Sequence, residues 1–182
     1  TAFNRANAAA PLHILPTVWF RNTWSWDDNC EKPQLQYKDS GVENLSVIGL
    51  NEELRGVWKL TCEGSSQLLF TENETNLKKL YNAANESEFT KDGINSYVTR
   101  GELSAVNEDL IGTKAAAHYV FNIPAGASET IYLRLTRDNQ ESFAAPAQSH
   151  DEFIEQCESV FAQRIVEADE FYAGIIPDEL SD

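Results

Sequence analysis

The sequence predicts a mainly β protein: an antiparallel β-sandwich, super-sandwich-like and incomplete, carrying a helical insert and a C-terminal α-helix. Three patterns lead there. Residues 117–123 and 129–137 alternate apolar and polar side chains at the period of two that a half-buried strand requires. Residues 72–113 abandon that period, and residues 149–174 replace it with helical spacing.

The first ten residues, TAFNRANAAA, read as a loop between two strands. Together with the absence of Met among 182 residues, they lead to the expectation of a piece of a longer protein. Residues 12–26 then hold three of the four Trp residues. The tract begins as an alternating strand, sets Trp19 beside Phe20, and continues through Arg21, Asn22, Trp24 and Trp26. On a strand, Trp24 and Trp26 share one face and offer a stacking platform for sugar rings. Packing inside the sandwich or against a neighbouring domain is the favoured reading of the pair, and sugar stacking the alternative.

Shorter strands are expected at 34–38, 45–50, 57–63 and 67–71, with Trp58, Leu60 and Cys62 pointing inward. Gly64, Ser65 and Ser66 form a tight link that makes the last two a hairpin. Residues 72–113 are long for a connection, and long insertions in β scaffolds are more often functional than idle. Leu77, Leu80 and Tyr81 suit a short helix capped by Asn73, and a second helical turn is expected near Tyr97. Phe89, Ile94, Tyr97 and Val98 give the insert its own apolar anchors.

In 117–123, Tyr119, Phe121 and Ile123 share one face. In 129–137, Ile131, Leu133 and Leu135 face one way and Tyr132, Arg134 and Thr136 the other. Pro124 and Gly126 between them predict a turn and hence a β-hairpin. Six or seven antiparallel strands result, enough for part of a sandwich. Finally, Ser149 and Glu152 form a capping box, and Phe153, Ile154, Cys157, Val160, Phe161, Ile165, Ala168, Phe171 and Tyr172 recur at helical spacing until Pro177 closes the element. The expected organisation is a sandwich segment over 1–140 with its insert at 72–113, then a helix and linker over 141–182.

A chain of this length with 42% apolar residues buries roughly 70% of its unfolded surface, so a real core is expected. The 29 acidic residues outnumber the 14 basic ones for a net charge of −15, and Lys78-Lys79 is the only adjacent basic pair. Nucleic acids and anionic membranes are therefore excluded as partners. No stretch reaches 18 apolar residues, and a cytoplasmic protein is expected. Cys30, Cys62 and Cys157 form no C-x-x-C, and His13, His118 and His150 have no second ligand nearby in sequence, so neither metal nor cofactor is expected. Asp27, Asp28 and Asn29 read as a solvated turn rather than a calcium loop.

The obvious carboxylate pair is Glu72 and Glu74, two residues apart and so on one face of an extended chain. Binding or capping is favoured for them over acid–base catalysis. No nucleophile elbow, phosphate-cradling glycine loop or catalytic triad is present.

Five strings run in order along almost the whole chain: LHILPTVWFRNTWSW at 12–26, LFTENETN at 69–76, KDGIN at 91–95, GTKAAAHY at 112–119 and EADEFY at 167–172. Through them the chain resembles the N-terminal β-sandwich region of bacterial glucosidase-type proteins related to glycoside hydrolase family 63, the processing α-glucosidase family. The resemblance implies a multidomain enzyme in which an (α/α)6 toroid outside this chain holds the acid and base carboxylates and hydrolyses α-linked glucose with inversion. None of the five strings is catalytic, so no catalytic residue is expected here and the chain alone is expected to be inactive. The insert and the aromatic tract are expected to face the toroid or its cleft, with Trp24, Trp26, Glu72, Glu74, Lys91, Asp92 and Asn95 as the substrate-side residues. The expected partners are the catalytic domain of the parent chain and an oligosaccharide, with homodimerisation through an exposed sheet edge as a corollary. An autonomous carbohydrate-binding module and a ligand-free scaffold are the rival readings.

Overall fold

A computed structural model describes residues 1–26, 31–52, 56–64, 67–137 and 147–175. The chain forms two compact units, Thr1–Ser142 and Phe143–Asp182. In the first, β1 (Ala2–Phe3), β2 (Ala10–Ile14) and β3 (Thr17–Trp19) lead to a 3-10 turn at Trp24–Trp26. Then follow β4 (Gln34–Lys38), β5 (Leu45–Glu52), β6 (Gly56–Glu63) and β7 (Gln67–Thr71). The insert contributes α1 (Leu77–Tyr81), α2 (Gly93–Arg100) and a 3-10 turn at Leu103–Ala105. The unit continues with β8 (Ile111–Gly112), β9 (Lys114–Ile123), β10 (Ser128–Glu129) and β11 (Leu133–Arg137).

Among the described residues the strands form two main antiparallel sheets and a two-stranded one, β1-β10. Of the main two, one runs β11-β6-β5-β4-β8; the other is built on β9, which pairs with β2, β3 and β7. The ten residues of β9 suffice for three partners because β2 and β3 are one strand interrupted. The register passes from Ile14 opposite Tyr119 to Thr17 opposite Ala116 without slipping. Pro16 has no N–H to donate, yet its carbonyl still accepts from Ala117 N at 3.0 Å.

The core lies between the sheets. Leu35, Ile48, Leu50 and Cys62 from the first meet Leu68, Phe70, Ala115, Ala117 and Tyr119 from the second. On the other face of β7 and β9, Leu69 and Ala116 pack with Ile94 and Val106 of the insert. Strand β7 is therefore buried on both faces, which explains its continuous apolar run, and the alanines of β9 leave room for neighbours on either side. Each large side chain enclosed in this way, such as Phe70, contributes about 1.5–3 kcal/mol of burial.

The fold class stands as expected: mainly β, antiparallel, with a helical insert and a C-terminal helix. Strand partners are another matter. Strands β9 and β11 do not form a hairpin: β10 pairs with β1, and β11 pairs with β6 in the other sheet. The turn at Pro124 does form, with Ala127 N donating to Pro124 O, but it carries the chain away from β9, and Gly126 N donates to Asn4 O instead. Residues 2–3, read as loop, are thus a short strand. Nor do β6 and β7 pair with each other. Gly64, at φ 78°, leads from one sheet to the other, and the local hairpin is β5–β6. Alternation fixes which residues share a face, not which strand lies alongside.

Leu133 and Leu135 stand opposite Cys62 and Leu60 at the sheet edge, where they remain 38% and 55% exposed. The α1 cap is Asn76 rather than Asn73: its side chain accepts from Lys79 N, and Asn82 ends the helix at φ 55°. Gly93 begins α2 where a Cβ would lie 2.1 Å from Ala105 O, so only glycine lets these two segments meet.

In the second unit, α3 (His150–Ala173) starts at Ser149, whose side chain accepts from Glu152 N. The Glu152 carboxylate reaches back to Gln148 N at 2.7 Å. Phe153 and Cys157 are its buried residues, and residues 158–175 are exposed throughout. Among the described residues, no helix is long and apolar enough to cross a membrane. Asp27, Asp28, Asn29, Cys30, Ser65, Ser66 and Pro177 lie outside the described residues.

Candidate functional site

As the chain leaves β7 it turns across the end of the second sheet, and Thr113 fastens it. Thr113 N donates to Thr71 O, Asn73 N donates to Thr113 Oγ1, and that hydroxyl donates to Glu72 Oε2 at 2.6 Å. Gly112 permits the approach, since a Cβ there would sit 2.4 Å from Thr71 O. Glu72 and Glu74 consequently point to one side, as their spacing suggests, and Lys32 lies between them. Its Nζ is 3.0 Å from Glu72 Oε2 and 2.7 Å from Glu74 Oε1.

Trp24 closes the cluster. Its Nε1 donates to Glu74 Oε1 at 3.4 Å, and the Lys32 ammonium stands 5.9 Å from the centre of its ring. Burial alone would lower the Lys32 pKa, but the hydrogen bonds and charges of Glu74 and Glu72 outweigh it and raise the pKa. The ammonium therefore stays charged and bound to two carboxylates at any neutral pH. Such a trio carries one net negative charge and leaves no free acid–base pair.

The second locus is a polar cavity of about 230 Å³ in the insert, bordered by Asn76, Lys79, Asp92, Ser96, Arg100 and Glu102. Asp92 accepts from Thr90 Oγ1 at 2.8 Å, Lys79 Nζ at 3.0 Å and Asn76 Nδ2 at 3.2 Å. Burial would raise its pKa, yet Lys79, Thr90 and Asn76 prevail and hold it at about 2. Arg100 reaches both Ser96 and Glu102. The two loci are joined through Lys91: its N donates to Glu74 O, its Nζ donates to Thr75 Oγ1, and its carbonyl accepts from Lys114 Nζ. Burial and the nearby Lys91 charge lower the Lys114 pKa, partly offset by Asp92.

Of the seven sequence-predicted residues, the structure brings Trp24, Glu72 and Glu74 together, places Asp92 at the cavity, and sets Lys91 between. It does not bring in Asn95, which is exposed on α2 and whose carbonyl accepts from Thr99 Oγ1. Trp24 and Trp26 form no strand platform either. Both lie in the 3-10 turn, where Trp24 is half-buried and Trp26 is 68% exposed beneath the Arg21 guanidinium, 5.1 Å from its ring centre. The turn arises because Asn22 and Asn73 tie the chain down on leaving β3: Asn73 Nδ2 donates to Phe20 O and Asn22 Nδ2 to Asn73 O. Sequence reasoning passed over Lys32, Thr113, Asn76 and Lys79. Thr113, inside GTKAAAHY, and Asn76, which ends LFTENETN, carried a signal. Among the described residues, no group of three or more His, Cys, Asp or Glu is arranged to hold a metal ion.

The chain is similar to the uncharacterized protein YMR196W of Saccharomyces cerevisiae, with 35% identity over 212 aligned positions. That alignment covers all of this chain and 19% of the yeast protein, so the chain spans about a fifth of the relative's length. No family model and no solved structure matches it.

Proposed function

We propose that this chain is a non-catalytic β-sandwich segment of a larger glycoside hydrolase acting on α-glucosides, where it supports an (α/α)6 catalytic domain and borders its sugar cleft. The observation that carries the non-catalytic role is the Lys32 bridge between Glu72 and Glu74, while the hydrolase assignment rests on the resemblance. An inverting pair must leave its carboxylates apart with room for a water, whereas here a lysine occupies the gap and both acids are spent on structure. Three of the five strings of the resemblance are structural in the same way: GTKAAAHY builds the centre of a sheet, LFTENETN the carboxylate segment, and KDGIN the seat of the cavity. The extent of the yeast relative fits a segment with much larger neighbours.

The partner in this reading is the catalytic domain of the parent chain. Val160, Phe161, Ile165 and Phe171, all exposed on α3, offer it apolar contacts, and the β11 edge with Leu133 and Leu135 is the surface for a homodimer. A cytoplasmic location belongs to the same proposal. The test is hydrolysis of p-nitrophenyl α-glucoside and α-gluco-oligosaccharides by the chain alone and by the full-length parent. The expected result is turnover by the parent only. Turnover by the chain alone, or none by the parent, overturns the proposal.

An autonomous carbohydrate-binding module is the second reading, favoured by the exposure of Trp26. It requires a Trp fluorescence change on titrating the chain with millimolar α-gluco-oligosaccharide that disappears in Trp26→Ala. A flat titration rejects it.

A further inference from the structure

His13 and His118 are far apart in sequence, and the fold places them on one face of the second sheet. His13 lies on β2 opposite Val120, and His118 is the next residue of β9 on that face, so the two are diagonal neighbours. His13 Nδ1 and His118 Nε2 are 2.8 Å apart, with ring centres 5.0 Å apart, and the Tyr97 ring meets His118 edge-on from α2. His13 is exposed, so the pair is open to ions from solution. We infer that His13 and His118 form a two-imidazole site for a divalent transition metal of tetragonal preference, Ni²⁺ or Cu²⁺, its remaining positions filled by water.

The two nitrogens are close enough for one ion to bridge: with metal–nitrogen bonds of about 2.0 Å, two neighbouring ligands stand about 2.8 to 3.3 Å apart. Imidazole suits both Ni²⁺ and Cu²⁺, and Cu²⁺ heads the affinity order. The nitrogens now share a hydrogen bond, and turning the rings about the soft χ2 torsion aims both lone pairs at one ion. Imidazole ligates a metal through the lone pair of a neutral ring nitrogen. Two ligands without a third give an exchangeable site, unlike the closed site of a structural zinc.

Calorimetric titration of the full chain with NiCl₂ at neutral pH is the test, repeated with His13→Gln, His118→Gln and His150→Gln. The expected result is one Ni²⁺ per chain, weakened at least tenfold by either of the first two changes and unaltered by the third. Cu²⁺ bound at the same site should show two equivalent nitrogens in its electron paramagnetic resonance spectrum. His13 is exposed, so His13→Gln decides the matter even if His118→Gln fails to fold. Absence of Ni²⁺ binding, or binding that survives His13→Gln unchanged, overturns the inference.

Discussion

Lys32 Nζ lies 2.7 Å from Glu74 Oε1 across a gap of 42 residues, and it joins the loop before β4 to the segment that leaves β7. The same ammonium holds Glu72, so one cation attracts two acids that would otherwise repel.

Removing that cation should cost stability. Lys32→Met is expected to lower the unfolding free energy by about 1 kcal/mol, because the lysine side chain is 41% exposed and solvent screens the pair. Urea unfolding measures the loss. Adding Glu72→Gln to Lys32→Met should restore part of it, and 1 M NaCl should shrink the difference between wild type and Lys32→Met.

Gly93 and Gly101 should respond differently to the same change. Gly93→Ala forces a Cβ against Ala105 O and is expected to cost about 3 kcal/mol. Gly101→Ala has open space around it and only its φ of +69° to oppose it, for about 1 kcal/mol. Thermal unfolding of the two variants should rank them in that order.

The acid limb of stability should carry a signature of Asp92. Its folded-state pKa, about 2, lies below the ordinary 3.8, so its contribution is complete above pH 3.8 and disappears as the pH falls toward 2. The gap in urea midpoint between wild type and Asp92→Asn should thus be constant from pH 7 to 5 and begin to close below pH 4. A gap that widens on acidification contradicts the hydrogen bonds described.

Cys62 should be inert in the folded protein. Burial pushes its thiol up to about 12, against a smaller lowering by Tyr119, so almost no thiolate exists at pH 8. Peptide mapping after iodoacetamide treatment should find Cys62 unmodified until denaturant is added.

Much of this was legible in the sequence, for identifiable reasons. The faces of β9 over residues 117–123 follow from their side-chain period, and the start of α3 from Ser149 and Glu152. Partners were not legible. Pro124 and Gly126 signal a turn equally well whether the next strand returns to β9 or departs to β6, and only the core position of Cys62 beside Leu68 decides the similar case at Gly64. The Trp24–Trp26 spacing likewise suits a strand or a 3-10 turn, and the asparagine bonds that choose between them reach across some fifty residues. Glu72 and Glu74 were found because they stand two residues apart in sequence, whereas the contacts of Lys32 and the His13–His118 contact exist only once distant segments come together.

That reliance on distant pairing bears on how the chain is made. A ribosome adding roughly 5–20 residues per second releases β2, β3 and β7 several seconds before β9, their common neighbour, has emerged. Meanwhile β4, β5 and β6 can already zip together as a meander, because each borders the next in sequence. The aromatic tract and the apolar β7 must wait with bare backbone on the nascent chain, the interval in which a chaperone or an unwanted neighbour would find them. A stop codon before residue 114 would leave β1, β2, β3 and β7 without their partners and no second sheet at all.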